Sequence, residues 1–196
     1  MTKLHLLYDM DAVTANLHDE WLRRYNNDYN DNLEYSDMVT WGMHEYVKPE
    51  CGKRIYHYLG EPGLFRNLAP MPHAIEVIRK IHDDGHTGTF VTSSPVNKHA
   101  FVDKFDWLCD HFPFLLDERH RPPVIFTHQK YKVDGDILFD DCPAHLDAFP
   151  GISVSMKYAY NEGHGDIACQ GWQDFYTTVQ TVAEHSIEKT WETLGL

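Results

Sequence analysis

The stretch LLYDMDAVTAN, residues 6–16, decides how the chain is read. An apolar, strand-like run stops at Asp9, and a second carboxylate, Asp11, follows two residues later. Asp often ends strands and opens helices, so a simple turn is the plain reading of this pair. A carboxylate at the end of a buried strand is costly unless it is paired, metal-bound or reactive, which makes the pair a candidate site as well. What the other strand ends carry distinguishes the two readings.

Five short apolar runs read as strands: Leu4–Tyr8, Thr87–Thr92, Val124–Thr127, Ile137–Phe139 and Ile152–Met156. Helical patterns lie between them. Ile75, Ile78 and Ile81 recur every three residues behind Pro70 and Pro72, and Gly85 is a good helix stop. Asn97 is placed to cap a helix carrying Phe101, Phe105 and Leu108 on one face. A last helix runs from about Trp172 towards Trp191, with Phe175, Val179 and Val182 inward. Strand–helix alternation with continuous apolar strands predicts an α/β fold, a Rossmann-like parallel sheet covered on both faces.

Residues 15–69 differ. They hold no clear strand and are rich in Trp, Tyr and Asn, among them Trp21, Tyr25, Tyr29, Tyr35, Trp41, Tyr46, Tyr56 and Tyr58. That length predicts a small helical insertion placed straight after the first strand. Aromatic residues at helical spacing are usually core, yet there are more here than a small bundle should need to bury.

In open parallel sheets, ligands bind outside the carboxyl ends of the strands. The first strand delivers Asp9 and Asp11 there, the second Thr92-Ser93-Ser94-Pro95, and the fourth Asp140 and Asp141, while Lys130 follows the third. These types suit phosphoryl transfer, which needs an in-line nucleophile and positive charge around the equatorial oxygens. Asp9 can attack phosphorus, and Asp11 can protonate the leaving alkoxide and later deprotonate water. Ser93, Ser94 and Lys130 can hold the phosphoryl oxygens, and the acids at 140 and 141 complete a hard-oxygen set for Mg²⁺.

The formal charge of −13 argues against gripping a nucleic-acid backbone, because only small basic groups such as Arg23-Arg24 and Lys53-Arg54 occur. A small phosphorylated ligand stays compatible with that charge, since one metal ion and one lysine neutralise it locally. With 42% hydrophobic residues the chain is globular, and no run approaches a membrane span. The start, MTKLHLLYDMD, has no signal-peptide core, and the four cysteines form no C-x-x-C pair, so reduced thiols in a cytoplasm are expected. Fourteen histidines show no ligand spacing such as H-E-x-x-H, and most of them read as surface or packing residues.

The four motifs DMDAV (9–13), TSS (92–94), Lys130 and FDD (139–141) stand in order at strand ends, and this resembles the haloacid dehalogenase superfamily. DMDAVTANLHDEWLRRYN, EPGLFRNLAPMPHAIEVI, FVTSSPV and IFTHQKYKVDGDILFDD look more closely like the 5'(3')-deoxyribonucleotidases. The resemblance implies a catalytic core at residues 1–14 and 70–196 with a helical cap at 15–69 that sets specificity. It implies Asp9 as nucleophile, Asp11 as general acid and base, and Ser93, Ser94 and Lys130 on the phosphate. Mg²⁺ would lie between the Asp9 carboxylate, the Asp11 carbonyl and Asp141, with Asp140 in support. Leu17 and the segment Met38–Trp41, including Thr40, fall where the family lines its base pocket.

The chain departs from the family pattern in places. Ala12 stands where a glycine is usual, Leu17 replaces a Phe, and Thr127-His128-Gln129 precedes the lysine. The expected activity is Mg²⁺-dependent hydrolysis of nucleoside monophosphates, pyrimidine deoxynucleotides foremost. The alternatives are the same chemistry on another phosphomonoester such as a sugar phosphate, or a catalytically silent nucleotide-binding protein. The expected partner is a small nucleotide rather than a nucleic-acid polymer or membrane, and a homodimer is left open.

Overall fold

In the computed structural model, Leu6 and Tyr8 of β1 (His5–Tyr8) turn to one face of a sheet and Leu7 to the other. This is the period-two alternation of a strand buried on both sides. The structure describes residues 2–94 and 97–194, with side chains to residue 185, so Pro95 and the Trp191 side chain, named above, lie outside it.

The other strands are β2 (Thr87–Thr92), β3 (Val124–Phe126), β4 (Ile137–Asp140), β5 (Ile152–Met156) and β6 (Ile167–Cys169). All pair in parallel in the order β3-β2-β1-β4-β5-β6. Tyr8 lies level with Phe90 on one side and Phe139 on the other, so β1, β2 and β4 end near one another. The chain builds outward from β1 in one direction and then, from β4, in the other. That reversal makes a topological switch point beside β1, where open α/β sheets take their ligands. The sixth strand was not expected: three residues, with Ala168 exposed, give no apolar run to read.

The helices are α1 (Leu17–Tyr29), α2 (Ala74–Asp83), α3 (Lys98–His111), α4 (Pro143–Ala148) and α5 (Trp172–Leu194). Asn97 caps α3 by accepting the Ala100 N–H at 2.9 Å. Gly85, at φ +87°, follows α2 in the left-handed conformation that glycine adopts without penalty. The inner face of α3 differs from expectation. Phe101 is 41% exposed, and the buried stripe is Ala100, Lys104, Trp107 and Leu108. A lysine occupies the inward position that hydrophobic periodicity had assigned to the phenylalanine.

Between β1 and α2 lies the insertion, made of α1 and four short 3-10 segments at Tyr35–Asp37, Met43–Glu45, Gly52–Gly60 and Phe65–Asn67. Its two ends run side by side: the Asn16 N–H donates to Ala69 O and the Met71 N–H to Thr14 O, each at 2.8 Å. Trp21, Tyr25, Ile55 and Phe65 are buried in one cluster with Leu6, Tyr8, Phe90 and Phe139, so insertion and sheet share a core. Trp41 and Tyr56 of the insertion stay at the protein surface, 55% and 37% exposed. The other face of the sheet is covered by a smaller group, Leu7, Val91, Leu138 and Phe149.

Candidate active site

Asp9 leaves the end of β1 with its N–H bonded to Phe139 O at 2.8 Å, which holds it against β4. The chain then turns tightly. The N–H groups of Thr14 and Ala15 both reach Met10 O, and the Thr14 hydroxyl donates to Asp9 O at 2.6 Å. Ala12 sits inside this turn at φ +61°, the left-handed conformation for which glycine is the natural residue.

Lys130 opens a short 3-10 turn after β3 and is buried. Its ammonium bonds Asp9 Oδ1 and, at 2.6 Å, Asp140 Oδ2. Asp140 ends β4, and its Oδ1 accepts the N–H groups of Asp141 and Cys142, each at 2.9 Å. Asp140 thus has both oxygens committed to hydrogen bonds. Asp141 Oδ2 accepts the Tyr160 hydroxyl at 2.6 Å.

Three buried carboxylates share one buried ammonium here, and the electrostatics follow from that imbalance. Burial pushes Asp9 up to about 6, against the pull of Lys130. Burial, with repulsion from Asp9 and Asp140, holds Asp141 well above the usual carboxylate range. Burial opposes ionisation of Asp140 too, but Lys130 and His145 outweigh it and keep that carboxyl low. His145, bonded to Asp140, is pushed up to about 10 although burial works against its charge. Ligand oxygens of Asp9, Asp140 and Asp141 lie within 4.8 Å of one another. An all-carboxylate, oxygen-only cluster with surplus negative charge fits a hard divalent cation rather than a soft one.

The Asp11 carboxylate is not part of that cluster. It turns to the other side of the turn, where Lys104 Nζ donates to its Oδ2 at 2.6 Å. Ser93 lines the same cavity as Asp9, and its hydroxyl donates to Thr127 O at 3.3 Å. Ser94 Oγ and Asp11 Oδ1 are buried with no hydrogen-bond partner among the described residues. Of these two residues only Asp11 lines the cavity, and its unsatisfied Oδ1 is what a polar ligand there would satisfy.

The cavity has a volume of about 400 Å³, with Asp9, Asp11, Ser93, Lys130, Asp140 and Asp141 at its base. Leu17, Met38, Thr40 and Trp41 stand in its wall, so the insertion roofs the acids. Tyr35, one of the insertion's aromatic residues, and His18, which sequence reasoning passed over, stand there too, stacked with ring centroids 3.4 Å apart. Burial holds the His18 imidazole well below its ordinary range, so it is neutral.

The loop segment Tyr158–Asn161 braces the turns that carry the acids. Tyr158 donates to Ala12 O at 2.6 Å, Tyr160 to Asp141, and Asn161 Nδ2 to Asp141 O at 2.9 Å. Lys104 was legible in principle. It lies four residues after Ala100 and three before Trp107, a cation on an apolar stripe.

Comparison with known proteins follows the same line. A model of the family described as 5' nucleotidase, deoxy (pyrimidine), cytosolic type C matches residues 3–185. The 5'(3')-deoxyribonucleotidase of Clostridium acetobutylicum is 36% identical over 162 residues, covering 83% of this chain and 86% of its own. Two solved structures share the fold at low identity. One is a HAD family hydrolase from Deinococcus radiodurans with bound phosphate and sodium, with TM-score 0.53 and 9% identity, covering 87% of this chain and 92% of that one. The other is a Bacillus subtilis protein bound to magnesium, with TM-score 0.54 and 10% identity, covering 91% of this chain and 99% of that one. With a parallel sheet that delivers acids at its switch point, and a match over most of the chain, the protein belongs to the 5'(3')-deoxyribonucleotidase family, phosphoric monoester hydrolases of the haloacid dehalogenase-like fold.

Proposed function

We propose that the chain is a Mg²⁺-dependent phosphatase of deoxyribonucleoside monophosphates, pyrimidine nucleotides foremost, acting through an aspartyl-phosphate on Asp9. One observation carries the reading. Asp9, with its oxygen on the buried Lys130, and Asp11, on a separate cation, lie at the base of a cavity roofed by aromatic residues of the insertion. In this reading residues 1–14 and 70–196 are the catalytic core, and 15–69 is the cap that chooses the substrate.

The Asp9 carboxylate attacks phosphorus while Asp11 gives a proton to the departing alkoxide. Asp11 then takes a proton from the water that hydrolyses the acyl phosphate. Lys130, Ser93 and Ser94 hold the phosphoryl oxygens, and Lys130 also fixes the Asp9 oxygen that it bonds. Asp9, Asp141 and the Asp11 carbonyl would hold the Mg²⁺, with Asp140, saturated by Lys130 and backbone N–H groups, setting the position of its neighbours. When bound, the ion supplies positive charge that neutralises the phosphate and the crowded acids.

Substrate choice falls to the roof, because the base of the cavity provides groups for phosphate and metal. At about 400 Å³ the space is near the lower end of small-molecule sites, which run from about 300 to 1,000 Å³, and it suits one ring better than two. Aromatic faces offer stacking worth about 1–3 kcal/mol per base. Apolar Leu17 would leave a ribose 2'-hydroxyl without a partner, a cost of roughly 1–3 kcal/mol. The test is phosphate release from dUMP, dTMP, UMP, dGMP and a sugar phosphate with Mg²⁺. Highest kcat/KM on dUMP and dTMP is expected. Equal efficiency on dGMP or the sugar phosphate would overturn the pocket reading and leave the phosphatase chemistry, and no turnover on any of them would leave a nucleotide-binding protein.

A further inference from the structure

Lys104 is a fully buried lysine, and all three of its ammonium hydrogens have an acceptor: Asp11 Oδ2 at 2.6 Å, Ser93 O at 2.6 Å and Thr92 Oγ1 at 2.9 Å. The ring of Phe65, at the end of the insertion, covers it with the ammonium 4.6 Å from the ring centroid. Such a cation is held by its partners on every side and cannot swing to solvent, as surface lysines do. It therefore ties the turn after β1 to the end of β2 at one point.

The consequence for Asp11 is an unequal division between its two oxygens. Oδ2 is held by the lysine, while Oδ1 is buried and has no partner among the described residues. We infer that Lys104 is a positioning residue: it locks Asp11 through Oδ2 so that Oδ1 is the atom that exchanges the proton with the leaving group and then with water. This rests on the phosphatase reading above. In the first step the bond from Asp9 oxygen to phosphorus forms, the bond from phosphorus to the substrate oxygen breaks, and the proton on Oδ1 passes to that oxygen. In the second step water adds to phosphorus, its proton goes to Oδ1, and the bond from phosphorus to Asp9 breaks. Lys104 touches neither the substrate nor phosphorus in this scheme; it acts through the carboxylate.

The test compares Lys104→Met with wild type on dUMP and on 4-nitrophenyl phosphate, whose leaving group departs without a proton. Misplacing a general acid should lower kcat on dUMP by about 100-fold or more with little change in KM, and lower it far less on the aryl ester. In an Asp11→Asn background the same substitution should cost almost nothing further, because the group it positions is gone. Equal losses on both substrates, or full additivity with Asp11→Asn, would overturn the inference. Should Lys104→Met not fold, Thr92→Val keeps the lysine and removes one of its acceptors; the same substrate-dependent loss, smaller in size, is expected, and an equal effect on both substrates would again refute it. Failure of wild type to hydrolyse either phosphate with Mg²⁺ would instead sink the phosphatase reading itself.

Discussion

The hydroxyl of Tyr160 lies 2.6 Å from Asp141 Oδ2, and its ring packs edge-on against Trp41 of the insertion at 5.3 Å between centroids. One side chain therefore joins the acid cluster to the roof of the cavity. Partners of metal-binding carboxylates orient them, and losing one typically costs about 10–100-fold in metal affinity or activity. Tyr160→Phe keeps the packing and removes the donor. The Mg²⁺ concentration for half-maximal activity should rise by about 10-fold, with stability in EDTA little changed. A titration of activity against Mg²⁺ reads the first, and thermal unfolding the second.

Asp9→Asn should abolish turnover, by at least about three orders of magnitude, since an amide cannot attack phosphorus. The same change should stabilise the metal-free fold. The folded pKa of Asp9, about 6, lies above the ordinary value, so the folded state loses stability as pH rises through that window and the carboxylate ionises. At pH 7.5 in EDTA the amide should be more stable by about 1–2 kcal/mol, as read by urea unfolding. A less stable variant would mean that the bond to Lys130 outweighs the crowding.

Ala12 holds φ +61° in the turn after β1, where an L-residue costs roughly 1–2 kcal/mol relative to its preferred region. Glycine removes that strain but adds about 0.4–1 kcal/mol of unfolded-state freedom. Ala12→Gly should come out stabilising by about 0.5 kcal/mol with activity retained, whereas Ala12→Val should lose both stability and turnover. Thermal unfolding beside a phosphate-release assay separates the cases.

His86 is buried, and its Nδ1 accepts the Leu4 N–H at 3.1 Å, an arrangement that requires the neutral ring. Burial lowers its folded pKa below the ordinary 6.5. The unfolded chain therefore binds the proton more readily, and the histidine's contribution is complete above about pH 6.5 and declines as pH falls below it. The stability gap between wild type and His86→Leu should narrow from pH 8 to pH 5.5. A gap that stays constant would show that the ring does not stay neutral in the fold.

His18 is only 8% exposed, its imidazole has no hydrogen-bond partner among the described residues, and it lines the cavity. His18→Phe preserves the stacking on Tyr35 and deletes the ring nitrogens. If those nitrogens meet the nucleoside, KM for dUMP should rise by about 10-fold, the worth of a hydrogen bond of roughly 1.4 kcal/mol, while 4-nitrophenyl phosphate is unaffected. Parallel changes on both substrates would place the effect in the fold.

Strand type and order of motifs were legible in the linear chain because each depends on neighbours in sequence. Apolar runs of four to six residues ending in Asp9, Thr92 and Asp140 mark strands buried on both faces and their chemically loaded ends. Parallel pairing then brings those ends together whatever the loops do, since strands level at Tyr8, Phe90 and Phe139 must end side by side. The helical insertion was legible by length and by the absence of a period-two pattern. Other features needed the fold. The inward spacing of Lys104 was readable, but its bond to Asp11 across 93 residues was not, because a pattern of apolar residues cannot tell that an acid waits on the facing turn. Tyr160 and Tyr158 became braces through contacts spanning 19 and 146 residues. The division among the four aspartates was likewise decided in three dimensions. Asp140 is saturated, Asp9 and Asp141 are crowded, and Asp11 is turned away, because each charge answers to the donors packed around it and those donors come from distant parts of the chain.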